Sequence, residues 1–352
     1  MARVSPFRAV RYDERRAGPL ERLIAPPYDV IGSEERDGYL ERSPYNVVHL
    51  TLSDSEVESA RLWREWQDEG VLTRDGEPAL WWLAQDYVGP DGVARRRDGL
   101  AAALHLEPYS ARVILPHERT HAGPKEGRMR LLRSLRAHVE PIFCLYDGLL
   151  DSPDGEPLVD VSLAGVRNRL WRTEGDAPAS LADQQLLIAD GHHRYEAALA
   201  FHEEDGSEAS AWLLAVIVPT AQEGLTIFPT HRVADAVRVE GADPSDEAPL
   251  ELLRRGVGPV AYRGGRSFVV GADPSEIDAA AAEPLLEGSV RYTSSAEEAV
   301  RMVDEGEAGG ALLLRPPTVE QVQEVARRGE TMPQKSTYFY PKLPSGLLFL
   351  PL

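Results

Sequence analysis

Leu186-Leu187-Ile188-Ala189-Asp190 runs straight into Gly191-His192-His193-Arg194-Tyr195-Glu196-Ala197-Ala198-Leu199-Ala200, and no other stretch limits the fold so tightly. The apolar run reads as a buried strand, the glycine as a tight turn, and the segment beyond it as a helix. That sequence of elements belongs to an α/β chain. The turn also points to chemistry. The first turn of a helix has N–H groups without partners in the helix, and it carries the positive end of the macrodipole. Two imidazoles and a guanidinium fall in that turn here, so the corner is expected to seat a phosphorylated ligand.

The flanking sequence supplies the rest of an α/β scaffold. Strands are expected from Val4 to Tyr12, over Asn46–Leu52 with its β-branched residues, and on either side of the Pro90-Asp91-Gly92 turn. The Arg95-Arg96-Arg97 run in the second of those two arms reads as a solvated strand edge. Glu56 to Glu69 has helical apolar spacing and stops at Gly70; Arg128 to Ala137 reads as an amphipathic helix. Pro141–Tyr146, a hairpin within Leu158–Glu174, Trp212–Val218 and Leu225–Val233 are further strands. The last of these ends in Thr230, His231 and Arg232. Gly, Asp, Pro, Ser and Glu dominate residues 240–249, which mark a boundary between residues 1–239 and a smaller C-terminal α/β region, 240–352. In that region Thr318 and Gln321 form a capping box at the start of a helix over Val319–Arg328. The tail from Met332 to Leu343 is too rich in aromatics to be a frayed end. Tyr338-Phe339-Tyr340 is expected in the core, and the tail is a candidate to close the pocket.

Charge and composition narrow the function classes. A formal net charge of −19 argues against nucleic acid and against anionic membrane as partners. The single Cys144 excludes an internal disulfide and a cysteine zinc cluster. With no apolar run of membrane-spanning length and no signal-peptide pattern at the start, a cytoplasmic enzyme or binding protein is expected. His117-Glu118-Arg119-Thr120-His121 matches the zinc-protease pattern H-E-x-x-H. That chemistry needs both histidines on one face of a long helix, and Pro116 and Gly123-Pro124 leave room for about two turns. A rigid polar loop is the better reading. Ala25-Pro26-Pro27-Tyr28-Asp29-Val30-Ile31 is likewise expected to be a stiff extended loop.

The Asp190–Tyr195 loop resembles the phosphate loop of the ParB/sulfiredoxin superfamily, and within it that of the free serine kinases. More broadly, the chain is identified as similar to domain of unknown function family 1015. That likeness rests on Ala25–Ile31, His117–Thr120, the Asp190–Arg194 loop, Phe228-Pro229-Thr230-His231-Arg232-Val233 and Met332–Lys342. The resemblance implies an α/β (α+β) fold, with a ParB/sulfiredoxin-like mixed-sheet core and an N-terminal elaboration. It implies a phosphotransferase that moves phosphate from ATP or ADP, with Mg²⁺, to the hydroxyl of free serine or a related amino acid, giving a phosphoserine-like product. Phosphoryl transfer needs charge neutralisation, an in-line acceptor and a base.

On that resemblance Asp190, Gly191, His192, His193 and Arg194 would hold the nucleotide phosphates, with Thr120, Lys125, His231, Arg232 and Lys335 as further contacts. Glu118 would be the base, His117 its orienter or acid, and His193 a second proton carrier. Asp190 or Asp29 would ligate Mg²⁺. There is no Walker A motif and no protein-kinase catalytic loop. Two other readings stay open: a ParB-like nucleotide-binding regulator without kinase activity, and a metal-dependent hydrolase. The paired histidines have a structural alternative as helix-capping groups. Glu118 has one as the partner of Arg119 or Lys125 in a surface ion pair. Nothing in the residues sets an oligomeric state.

Overall fold

The computed structural model describes residues 1–120, 122–175, 177–182, 184–271 and 277–352. By contacts the chain divides into two units. Residues 1–116, 120–225 and 341–352 form the first, and residues 117–119 and 226–340 the second. The α/β class and the mixed-sheet core expected from the sequence are what is found. Among the described residues no helix is long and apolar enough to cross a membrane.

The first unit is built on a mixed sheet. Its strands are β1 (Val4–Ser5), β2 (Leu80–Val88), β3 (Ala94–His105), β4 (Ile114–Leu115), β5 (Ile142–Tyr146), β6 (Val159–Leu163), β7 (Val166–Thr173), β8 (Leu186–Asp190) and β9 (Trp212–Pro219). They lie in the order β4-β8-β5-β9-β3-β2-β7-β6, with β1 on β3. The pairs β8/β4 and β9/β5 are parallel, and the other pairings are antiparallel. The β2–β3 turn forms as its residues demand. Asp91 Oδ1 accepts from the Val93 N–H at 3.2 Å, and Gly92 takes a φ of 75°.

Strand β9 shows why its sequence is apolar throughout. Leu213, Ala215 and Ile217 join Ile142, Cys144 and Ile188 under Tyr195 and Phe201 of the helix that follows β8. Leu214 and Val216 point the other way, into a small cavity that Leu343, Leu347 and Leu348 of the C-terminal tail also line. Both faces are covered, so neither alternate position can be polar.

Three expectations about elements are corrected. Arg95–Arg97 departs from a solvated edge at its last residue: the run pairs with β2 alone, since β9 joins β3 only from Leu100 to His105, and Arg96 is exposed, but Arg97 is 1% exposed. The stretch Asn46–Leu52 is not a strand. Val48–Thr51 is a helical turn, with Asn46 Oδ1 accepting from Val48 N–H at 3.0 Å and Asn46 Nδ2 donating to the Arg22 carbonyl at 2.7 Å. A side chain that caps backbone groups outweighs the weak strand preference of three β-branched residues. Third, the helix expected over Arg128–Ala137 begins six residues earlier, as α1 (Ala122–Leu135). Gly123-Pro124 lies in its first turn, where proline lacks only an N–H that would have no helical partner. His117 and Glu118 precede this helix, in non-helical chain, so no zinc-protease helix is formed; His121 lies outside the described residues.

The second unit has a two-stranded ribbon, β10 (Thr226–Phe228) with β17 (Tyr338–Tyr340). It also has a six-stranded antiparallel sheet of β11 (His231–Val237), β12 (Asp243–Ser245), β13 (Val260–Arg263), β14 (Arg266–Val269), β15 (Leu286–Thr293) and β16 (Gly310–Leu313), in the order β12-β14-β13-β16-β11-β15. Leu225–Val233 is therefore two strands in two sheets, divided where Pro229 removes an N–H from the ladder. Alternate residues face two cores: Val233, Val260 and Leu313 on one side, Ala234, Ala261 and Leu312 on the other. The capping box of Thr318 and Gln321 forms as expected, and Phe339 is fully buried.

Candidate functional site

Strand β8 ends at Asp190, and α2 (His192–Asp205) begins two residues later. Gly191 makes the corner with φ 95° and ψ 27°. A Cβ there would lie 2.8 Å from Ile142 Cγ2 and 3.1 Å from Ile142 Cβ, so both the backbone conformation and the space require glycine. The helix opens without a side-chain cap, and its first internal bond runs from Tyr195 N–H to the Gly191 carbonyl at 2.9 Å.

Around this corner the charges are placed with care. Arg194 is buried; its Nη2 donates to Asp190 Oδ2 at 2.6 Å and its Nη1 to the Pro141 carbonyl. The ammonium of Lys342 donates to the other carboxylate oxygen, Asp190 Oδ1. Burial opposes the charge on Asp190, but Lys342 and Arg194 hold the carboxyl well below its ordinary pKa. Burial likewise opposes the charge on Arg194, and Asp190, Glu140 and Asp29 more than offset it. His192 is buried and His193 half-buried, and both are engaged with neighbouring groups.

The Ala25–Ile31 motif packs beside the corner. Tyr28 to Val30 make a single tight turn after Pro27. The Tyr28 N–H donates to Glu140 Oε1 at 2.9 Å, and Ser345 Oγ donates to the same oxygen at 3.1 Å. Arg128 donates to Glu140 Oε2 at 3.3 Å, and its guanidinium lies 3.9 Å from the centre of the Tyr28 ring. Burial pushes the Tyr28 phenol up to about 12. Arg128, Leu131, His138, Glu140, Arg194 and Ala197 line a pocket between these elements. One turn along α2, Thr120 Oγ1 donates to Glu196 Oε2 at 2.8 Å, with the Lys125 ammonium 3.9 Å from the same oxygen.

The remaining expected residues are in the second unit. His117 is fully buried; its Nε2 is 2.9 Å from Thr337 Oγ1, and its ring stands edge-on to Phe339. Its carbonyl accepts from Met332 N–H at 2.8 Å, and Glu118 bridges to Met332 in a parallel pairing. Arg232 spends its guanidinium on two carbonyls, Thr230 and, at 3.1 Å, Gln334. His231 Nδ1 accepts from Leu314 N–H at 3.1 Å, and burial pushes the imidazole down to about 4. Between the segments these residues pin, Lys335 is exposed at a left-handed φ of 55°. Thus Asp29, Thr120, Lys125 and Asp190–Arg194 gather in one unit, and His117, Glu118, His231, Arg232 and Lys335 in the other.

The sequence reading missed Lys342, Glu140 and Arg128. For Lys342 a signal existed: only three of the 38 basic residues are lysines, at 125, 335 and 342. Glu140 and Arg128 carry no such mark, because the chain is full of both residue types.

A family model described as "Protein of unknown function (DUF1015)" matches residues 4–321, and the chain belongs to that family. No curated protein sequence matches it. Among solved structures it is similar to a free serine kinase in complex with AMP, at 18% identity and a TM-score of 0.39, covering 67% of this chain and 89% of that one. A free serine kinase variant in complex with ADP matches at 18% identity and a TM-score of 0.40 over the same shares. A conserved hypothetical protein from Pyrococcus furiosus matches at 17% identity and a TM-score of 0.37, covering 66% of this chain and 90% of that one.

Proposed function

We propose that this member of the DUF1015 family is a nucleotide-dependent phosphotransferase acting on the hydroxyl of a small amino acid, free serine or a relative of it. One observation carries the reading: the β8–Gly191–α2 corner, where a helix without a side-chain cap begins beside two cations fixed on Asp190. Such a corner offers N–H donors and positive potential to phosphate oxygens. Positioning and charge neutralisation are most of what phosphoryl transfer asks of a protein.

In this reading ATP or ADP is the donor and the Gly191–Arg194 turn receives its phosphates. Arg194 acts by shaping the turn, since its nitrogens are bonded to Asp190 and Pro141. Asp190 does not fit a metal ion, because each of its oxygens already accepts from a cation. Asp29, which is exposed, is the remaining candidate to meet Mg²⁺ brought by the nucleotide. Glu118 is assigned as the base for the acceptor hydroxyl on its chemistry alone.

The test is incubation of the purified chain with ATP or ADP, Mg²⁺ and a panel of amino acids, with phosphoamino acids detected by mass spectrometry. Glu118→Gln is expected to lower turnover about 10²-fold or more while the nucleotide Kd is retained. No phosphoamino acid from any combination overturns the reading, and tight CTP binding in that case favours a regulator.

A further inference from the structure

Lys342 is singled out first by its residue type. The chain uses arginine almost everywhere, and a lysine at 342 places a compact ammonium where a forked guanidinium would otherwise stand. It belongs to the C-terminal segment 341–352, which is part of the first unit. Two side chains of the main sheet fix its backbone. Arg97 Nη2 donates to the Pro341 carbonyl at 2.5 Å, and Gln85 Nε2 donates to the Lys342 carbonyl at 3.3 Å and to Asn168 Oδ1 at 2.9 Å. From that anchored backbone the ammonium reaches Asp190.

Arg97 is the second observation. Its guanidinium is buried 4.5 Å from the centre of the Phe143 ring, and Phe143 pairs with Asp190 across β5 and β8. Its Nη2 also donates to Gln85 Oε1. No carboxylate of the described residues lies within ion-pair distance of it, and its buried Nη1 has no hydrogen-bond partner. Burial lowers its pKa to about 10, so it is a cation at neutral pH. A buried cation with no carboxylate on it and an orphan donor is costly unless negative charge arrives from elsewhere. Beside it, Asp190 is shared by Lys342 and Arg194.

We infer that Lys342 is a phosphate-binding cation of this corner and that Asp190 is its internal counter-ion, which holds the ammonium in place until a phosphate oxygen takes over. The inference rests on the phosphate-binding reading of the corner and replaces the expectation that Asp190 ligates Mg²⁺. The exchange forms and breaks no covalent bond. Lys342 passes from a monoanionic carboxylate to a more highly charged phosphate, and the backbone anchors on Pro341 and Lys342 keep it within reach. The ligand chemistry is a terminal phosphate group, carried by a nucleotide or free in solution.

Isothermal titration with ADP, in Mg²⁺ and separately in EDTA, tests this on the full chain, with inorganic phosphate as a second probe. Lys342→Ala is expected to weaken ADP at least tenfold in both conditions, and Lys342→Arg to recover most of that loss. Asp190→Asn, which removes the carboxylate that Lys342 donates to, is expected to bind ADP in EDTA at least as tightly as the wild type. A merely structural Asp190 would not give that sign. Wild-type ADP affinity in Lys342→Ala overturns the inference, as does a loss in Asp190→Asn that appears only with Mg²⁺. Should Asp190→Asn fail to fold, the alanine and arginine variants at 342 decide alone. A wild type that binds inorganic phosphate but not ADP overturns the nucleotide reading and leaves Lys342 to be judged with phosphate. A wild type that binds neither overturns both.

Discussion

Gly191 carries two constraints at once, a left-handed backbone and the proximity of Ile142, whereas Gly206 at the far end of α2 carries only the first. Gly206 has φ 65° and open space where a Cβ would stand. Gly191→Ala is therefore expected to cost more than Gly206→Ala. The Gly206 change should cost about 1–2 kcal/mol from backbone strain alone, and the Gly191 change more, with overpacking against Ile142 added. Urea unfolding of the two variants checks this, and equal costs would show that the contact with Ile142 is relieved cheaply. At this scale the sequence was informative about backbone and silent about partners. A glycine between a strand and a helix announces its turn. That Arg194 would face Asp190 and Pro141 rather than a ligand is set by groups that only the folded chain brings near.

Elements were legible where their signals were local. The hairpin at Asp91-Gly92 and the capping box at Thr318 form from residues within a few positions of each other, and β9 is marked by its own unbroken apolar run. They failed where a distant contact decides. Val48–Thr51 becomes helical in the company of Leu23 and Arg22, whose carbonyls Val47 N–H and Asn46 Nδ2 engage. The last residues of the chain, beyond the aromatic Met332–Leu343 stretch, show how much one such contact is worth. Phe349 is fully buried, exchanges two backbone bonds of 3.0 Å with Val10, and meets the rings of Tyr12 and Trp63 edge-on. Phe349→Ala is expected to cost about 3–5 kcal/mol in urea unfolding. A cost under 1 kcal/mol would mean that the tail is not part of the cooperative core.

At the scale of the whole molecule, acid is the revealing stress, because each unit buries a neutral histidine. His138 in the first unit donates from Nε2 to the Trp212 carbonyl at 3.0 Å, and burial pushes its pKa down to about 4; His231 in the second is pushed equally far by burial and by Arg232. Below pH 6.5 the unfolded chain takes up protons that these folded sites refuse. Their stabilisation is therefore complete above pH 6.5 and is lost as the pH falls toward 4, by about 3 kcal/mol for each histidine. His138→Gln keeps a donor for Trp212 and removes the titration, so its unfolding free energy should fall less between pH 6.5 and 4 than that of the wild type. A parallel fall in both would remove His138 as a source of acid sensitivity. The sequence by itself determined the α/β class, the strand–glycine–helix corner and the acidic balance, because these follow from periodicity, one glycine's backbone and a sum of charges. Which carboxylate would neutralise which cation was decided only by the tertiary structure. Lys342 and Asp190 are 152 residues apart, and no local rule pairs them until the tail returns to the sheet.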